Sequence, residues 1–161
     1  MDFSKAFDVI NRHILFYKII SSNVRGKVID TVRSLYSKTK CRIKTTAGYS
    51  PIIEDTQGVN QGGNLSPTLF REYLKDMSDY LSNKNSLIFG EDVVAHLLWA
   101  DDLVLFSDSP EGLQKQLLGL EKFCSKNHMI VNESKTNIMT FGRCKNHILT
   151  LHGKNLEVTK K

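Results

Sequence analysis

The sequence predicts an α+β fold, on three observations. Apolar residues recur at helical spacing in several stretches, others cluster in short strand-length runs, and proline, glycine and asparagine mark the boundaries between them. Helices and antiparallel hairpins interleaved along one chain make a sheet with helices packed on one face. No Pro/Gly/Ser-rich linker interrupts the 161 residues, so one domain over 1–161 is expected. A chain of this length buries about two thirds of its extended surface, enough for a real core.

The elements follow in order. Asn11 is placed to cap a helix running to about Ile20, and Val28, Val32, Leu35 and Tyr36 fall at helical spacing in a second helix ending near Ser37. A hairpin is predicted next, with strands Lys40 to Thr46 and Ile52 to Thr56 joined across Gly48 to Pro51. Ser66-Pro67 reads as an N-cap followed by proline in the first turn, and Phe70, Leu74, Met77 and Leu81 continue that helix as a stripe. Val93 to Trp99 and Leu103 to Phe106 read as two apolar strands meeting at Asp101-Asp102. Ser109-Pro110-Glu111 opens a capped helix with Leu113, Leu117, Leu120 and Cys124 on one face. Met129 to Val131, Ile138 to Phe141, Ile148 to Leu151 and Leu156 to Val158 read as short strands.

Composition narrows the function classes. With 40% apolar and 24% charged residues, and no low-complexity stretch, the chain is globular rather than disordered. Asp2, Lys5 and Asp8 stand where a secretory signal needs an apolar run, and Val93 to Ala100 is too short to cross a bilayer, so a soluble intracellular protein is expected. Three scattered cysteines, Cys41, Cys124 and Cys144, suit a reducing compartment and packing roles. Cys144-Lys145-Asn146-His147 with His152 falls short of the four ligands a structural zinc needs, which leaves them as loop residues. Net charge is +5, and from Arg25 to Lys44 there are seven basic residues against one acid, Asp30. Lys40, Arg42 and Lys44 alternate with Cys41, Ile43 and Thr45, so a strand there presents a basic face. Such a row suits a phosphate backbone, and on charge alone it is equally a solvated strand face.

Asp101 and Asp102 are adjacent carboxylates flanked by residues that want burial, Leu97 to Trp99 and Leu103 to Phe106. Two anions at the rim of an apolar sheet repel each other and lose solvation. A divalent cation relieves both costs, and magnesium prefers one or two carboxylates plus substrate phosphates. The plainer alternative is an exposed Asp-Asp turn.

Three other blocks accompany this pair. Asp2-Phe3-Ser4-Lys5-Ala6-Phe7-Asp8, then Gly58-Val59-Asn60-Gln61-Gly62-Gly63-Asn64-Leu65-Ser66-Pro67, then Trp99-Ala100-Asp101-Asp102, and finally Phe123-Cys124 with Val131-Asn132-Glu133-Ser134-Lys135-Thr136 come in the order of four palm motifs. In that order and spacing the chain resembles the reverse transcriptases of non-LTR, LINE-type retrotransposons over residues 2 to about 141, with 142–161 as the start of the following connection. The resemblance implies a palm-like antiparallel sheet and an RNA-directed DNA polymerase that works on an RNA template, a DNA primer and deoxynucleoside triphosphates. It also implies two magnesium ions held by Asp2 and Asp101, with Asp102 in support, because two-metal transfer needs carboxylates from neighbouring strands to converge. Phe7 falls where the family keeps an aromatic under the nucleotide sugar that excludes a 2′ hydroxyl, and Gln61 and Gly62 where it contacts nucleotide and template. Lys135 matches a lysine that protonates or stabilises departing pyrophosphate, and Lys40, Arg42 and Lys44 would meet nucleic acid.

Trp99 stands where tyrosine or phenylalanine is usual, Gly63 where an acid or polar residue is common, and His128-Met129 where Gly-Leu is usual. With Met1 immediately before the first motif, the expectation is a palm incomplete at its N-terminus, lacking fingers and thumb and extending primers poorly by itself. The alternative is a catalytically inactive nucleic-acid-binding remnant of such an element.

Overall fold

The computed structural model describes residues 1–82, 86–142 and 148–159. Contacts divide the chain into two compact units, Phe7–Tyr73 and Met1–Ala6 with Leu74–Lys161.

In the unit Phe7–Tyr73, α1 (Arg12–Ser21) starts where the sequence predicts, with the Asn11 side chain accepting from the backbone N–H of His13 and Ile14. Arg12, Leu15, Lys18 and Ile19 form its buried stripe. α2 (Lys27–Tyr36) follows Gly26, whose φ of 65° lets the chain reverse. Its buried face is Ile29, Val32 and Tyr36, while Val28 and Leu35 are exposed, so the stripe read from sequence is rotated by about one residue.

The next elements form a hairpin in two ladders. β1 (Lys40–Cys41) pairs with β4 (Ile53–Glu54), and β2 (Lys44–Thr45) pairs with β3 (Gly48–Tyr49). The turn is at Thr46-Ala47 rather than across Gly48 to Pro51, because Thr45 pairs with Gly48 and its hydroxyl donates to the Gly48 carbonyl. Ile43 accepts from Ser50 N–H at 2.9 Å, so Arg42 alone faces Pro51 and Ile52. That two-against-one count is a β-bulge, the usual way a strand accommodates proline.

α3 (Ser66–Leu74) begins at Ser66 itself, whose hydroxyl donates to the Asn60 carbonyl at 2.5 Å instead of capping the helix. Its last turn is held by Lys18, whose ammonium donates to the Tyr73 carbonyl at 2.6 Å, a cation placed at a helix C-terminus. The α-helix stops at Leu74, and a 3-10 turn (Met77–Asp79) follows where sequence had one continuous helix, yet Phe70, Leu74, Met77 and Leu81 are all buried.

The other unit holds hairpin β5 (Leu87–Phe89) with β6 (Asp92–Val94), then hairpin β7 (His96–Trp99) with β8 (Asp102–Leu105). The predicted strand Val93 to Trp99 thus divides at Ala95, each half taking a different partner. α4 (Pro110–Lys126) is capped by Ser109, which accepts from Gly112 N–H. It buries Leu117, Leu120, Phe123 and Cys124, and a Cβ at Gly119 would stand 2.1 Å from the Tyr80 carbonyl, so only glycine permits that approach. β9 (Asn137–Met139), β10 (Thr150–Leu151), β11 (Lys154–Asn155) and β12 (Glu157–Thr159) complete it. β10 pairs with β11, and Gln114 of α4 bonds both backbone groups of Thr150. β9 pairs with β12 in parallel, a departure from the all-antiparallel expectation.

Four α-helices and small, mostly antiparallel pairs among the described residues make an α+β chain, with the pairs short rather than joined in one long sheet. Cys124 is buried and Cys41 is exposed, so the packing role expected of both holds for Cys124 alone, whose thiol is pushed up to about 12 by burial and then by Glu121. Cys144 and His147 of the weighed zinc reading lie outside the described residues. No helix among the described residues is long and apolar enough to cross a membrane.

Candidate active site

β7 and β8 meet in a two-residue turn, because Trp99 pairs directly with Asp102. Ala100 takes φ 52°, a left-handed conformation that costs a non-glycine residue about 1–2 kcal/mol. Asp101 therefore sits at the tip, half-buried, and Asp102 heads β8, exposed, with Leu103 beneath it in the core.

Residues 1–4 run between β8 and the segment 130–132, antiparallel to both. Asp2 bridges Asp102 and Phe3 bridges Val131. The Leu103 N–H donates to the Met1 carbonyl at 3.0 Å, Asn132 N–H to the Asp2 carbonyl at 2.7 Å, and Ser4 N–H to the Ile130 carbonyl at 2.8 Å. Side chains alternate across a strand, so Phe3 in the core sets the register and puts Asp2 on the opposite face. A slip by one residue would bury the carboxylate.

Lys135 closes the cluster. It lies in a 3-10 turn (Glu133–Lys135) directly after the 130–132 segment, and its ammonium donates to Asp2 Oδ2 at 3.0 Å. Its pKa is raised, first by the hydrogen bond and charge of Asp2 and then by the charges of Asp101 and Asp102. Four residues drawn from three chain segments thus share one electrostatic field.

Among the described residues no three His, Cys, Asp or Glu side chains converge as a metal cage requires. The donor set that does exist is hard carboxylate oxygen, on two paired strands and with open sides. That chemistry fits a divalent ion that completes its shell with water and substrate phosphate, as magnesium does, and it does not fit a closed structural site.

In the unit Phe7–Tyr73, Phe7 stacks on Phe70 with ring centroids 4.7 Å apart and planes inclined by 26°. Gln61 Nε2 donates to Asp8 Oδ1 at 2.8 Å. The two segments are laced by bonds from Gly58 N–H to the Ile10 carbonyl and from Val59 N–H to the Phe7 carbonyl. Gly58 has φ 76°, and a Cβ there would stand 2.8 Å from the Asp8 carbonyl, so the lacing requires glycine. Gly62 has φ 79° with open space around it. The structure thus ties the segment of Phe7 to the segment of Gln61, while Lys40, Arg42 and Lys44 stand exposed on the hairpin.

Two residues escaped the sequence reading. Asp8 partners Gln61 from 53 positions away, and nothing in the spacing announces it. Arg12 is buried, and its guanidinium donates to the carbonyls of Tyr36, Asp55, Gln57 and Gly58, to Thr39 Oγ1 and to Asp55 Oδ2. Here a signal existed, since Arg12 begins the stripe continued by Leu15 and Ile19.

Comparison with known proteins places the chain among retrotransposon-related sequences. The chain is 27% identical over 121 residues to the retrovirus-related Pol polyprotein from type-1 retrotransposable element R2 of Nasonia vitripennis, covering 75% of this chain and 12% of that protein. It is 27% identical over 114 residues to the Pol polyprotein from type-2 retrotransposable element R2DM of Drosophila melanogaster, covering 71% of this chain and 11% of that one. The chain thus spans about an eighth of the length of these relatives. A family model matches residues 1–159, nearly the whole chain and every residue of the carboxylate cluster, and by that match the chain belongs to the family Reverse transcriptase (RNA-dependent DNA polymerase).

Proposed function

We propose that the chain is the palm of a non-LTR retrotransposon's RNA-directed DNA polymerase, adding deoxynucleotides to a DNA primer on an RNA template. The observation that carries this is the bridge between Asp2 and Asp102, which brings carboxylates 100 positions apart to one strand end.

Asp2, Asp101 and Asp102 are the residues to hold divalent cations, two magnesium ions, which when bound activate the primer 3′ hydroxyl and neutralise the triphosphate. Lys135 neutralises part of the carboxylate charge and is the group to donate a proton or hydrogen bond to departing pyrophosphate. Phe7, backed by Phe70, presents a ring to the nucleotide sugar. A 2′ hydroxyl pressed on that ring would lose its hydrogen bonds. Gln61 is oriented by Asp8, and the backbone at Gly62 is open to close approach by nucleotide or template.

The test is primer extension on an RNA template with magnesium, using the chain in place of the matching segment of the Nasonia relative. Extension is expected, with a loss of a hundredfold or more, on the order of one lost transition-state contact, in Asp101→Ala. Extension that persists undiminished in both Asp2→Ala and Asp101→Ala overturns the assignment. Nucleic-acid binding without extension favours the inactive remnant.

A further inference from the structure

We propose that the β1–β4 hairpin is a binding face for a single-stranded polynucleotide, on which Tyr49 stacks an unpaired base while Lys40, Arg42 and Lys44 meet phosphates. This rests on the polymerase reading and adds to it a residue and a strandedness.

Lys40 lies opposite Glu54 and Lys44 opposite Tyr49, and directly opposed residues share a face. Tyr49 and Glu54 are five positions apart, which in a regular strand places them on opposite faces. The bulge at Pro51-Ile52 absorbs the odd residue and turns Tyr49 onto the face that carries Lys40, Arg42 and Lys44. With the register of β1 and β4 continued unbroken, Ser50 would oppose Lys44 and the ring would lie on the Cys41-Ile43 side.

The ring is free to act there. Tyr49 is 66% exposed, and among the described residues it has no ring contact or hydroxyl hydrogen bond. The hairpin's foot is held firmly, since Arg12 donates to Thr39 Oγ1 and to the backbone and carboxylate of Asp55. Glu54 offsets Lys40, which leaves Arg42, Lys44 and Tyr49 as the strongest stretch.

Strandedness follows from what each group can reach. Every base has a π-face, but a duplex keeps those faces stacked on each other and offers a protein surface only its phosphates and groove edges. Lysines and arginine bind both forms through counterion release. Tyr49 therefore adds affinity for the unpaired strand alone.

The experiment is fluorescence anisotropy on the full chain with a labelled single-stranded RNA, its single-stranded DNA counterpart and a blunt RNA duplex. Tyr49→Ala should weaken single-strand binding roughly tenfold and leave the duplex unchanged, Tyr49→Phe should bind like the parent, and the triple Lys40→Ala, Arg42→Ala, Lys44→Ala should weaken both and flatten the salt dependence. A Tyr49→Trp, Trp99→Phe protein should lose indole fluorescence on adding the single strand. Circular dichroism of each variant, with Tyr49→Phe as the conservative control, separates lost stacking from lost fold. Tyr49→Ala binding single strands like the parent, or losing single strand and duplex equally, overturns the inference while leaving the polymerase reading standing. Absence of salt-dependent binding to any of the three polynucleotides overturns both.

Discussion

Two ion pairs in this chain have nearly the same length and opposite character. Arg12 meets Asp55 at 2.9 Å with side chains 7% and 37% exposed, and Lys135 meets Asp2 at 3.0 Å with side chains 67% and 19% exposed. In the first, the cation is inside and every direction its planar fork can donate is taken. In the second, the cation is outside and holds its partner by one contact. A buried guanidinium with fixed acceptors is part of the scaffold, whereas an exposed ammonium on a carboxylate is a counter-ion that another cation can replace.

The largest expected effect tests the first pair. Arg12→Met strands buried carbonyls and leaves Asp55 without its partner, so unfolding free energy should fall by about 3–5 kcal/mol in urea denaturation. Arg12→Lys should lose much of the same, because a point charge cannot span those acceptors. A melting curve for Arg12→Met superimposable on the parent's would show that the network is decoration. Next in size is Gly58→Ala, which forces a Cβ against the Asp8 and Phe7 carbonyls in a left-handed residue and should cost roughly 1–3 kcal/mol by the same measurement.

The second pair is tested by replacement rather than stability. Lys135→Met should leave the melting temperature unchanged and tighten manganese binding a few-fold, read by electron paramagnetic resonance or calorimetry. Weaker manganese binding would mean that the lysine organises Asp2 instead of standing in for the metal. The smallest effect lies at His96, where burial lowers the pKa from 6.5 and so favours the neutral ring. Its contribution to stability is present above pH 6.5 and is lost as pH falls through the lowered value. His96→Gln should flatten the acid limb of a stability–pH profile, and a profile identical to the parent's would remove His96 as a cause.

The same contrast explains what could be read from sequence. Asn11 and Ser109 announced their helices because capping is a local contract between a side chain and the next few N–H groups. Asp101-Asp102 was legible because carboxylates between apolar strands are locally odd. The rotated face of α2 and the misplaced hairpin turn were not legible, since Ile29 against Val28, and Thr46-Ala47 against Gly48 to Pro51, are decided by what packs opposite. For Arg12 the place on the stripe was legible and the acceptors were not. A lone arginine on an apolar stripe reads as an interruption until its acceptors, 24 to 46 residues away, are in place.

The placement of residues 1–4 between β8 and the segment 130–132 sets an order in time. Asp2 and Phe3 leave the ribosome before their partners Asp102 and Val131, and at roughly 5–20 residues per second the wait for Asp102 is on the order of 5–20 s. During that interval Asp2 and Phe3 lack these two partners, and the backbone groups meant for them are open to other edges. The contacts of Phe7–Tyr73 are internal to a stretch already synthesised, so that unit is free to fold first. The carboxylate emerging earliest is thus among the last to be positioned, and a chain interrupted before residue 131 carries its Asp2 without the sheet that aims it.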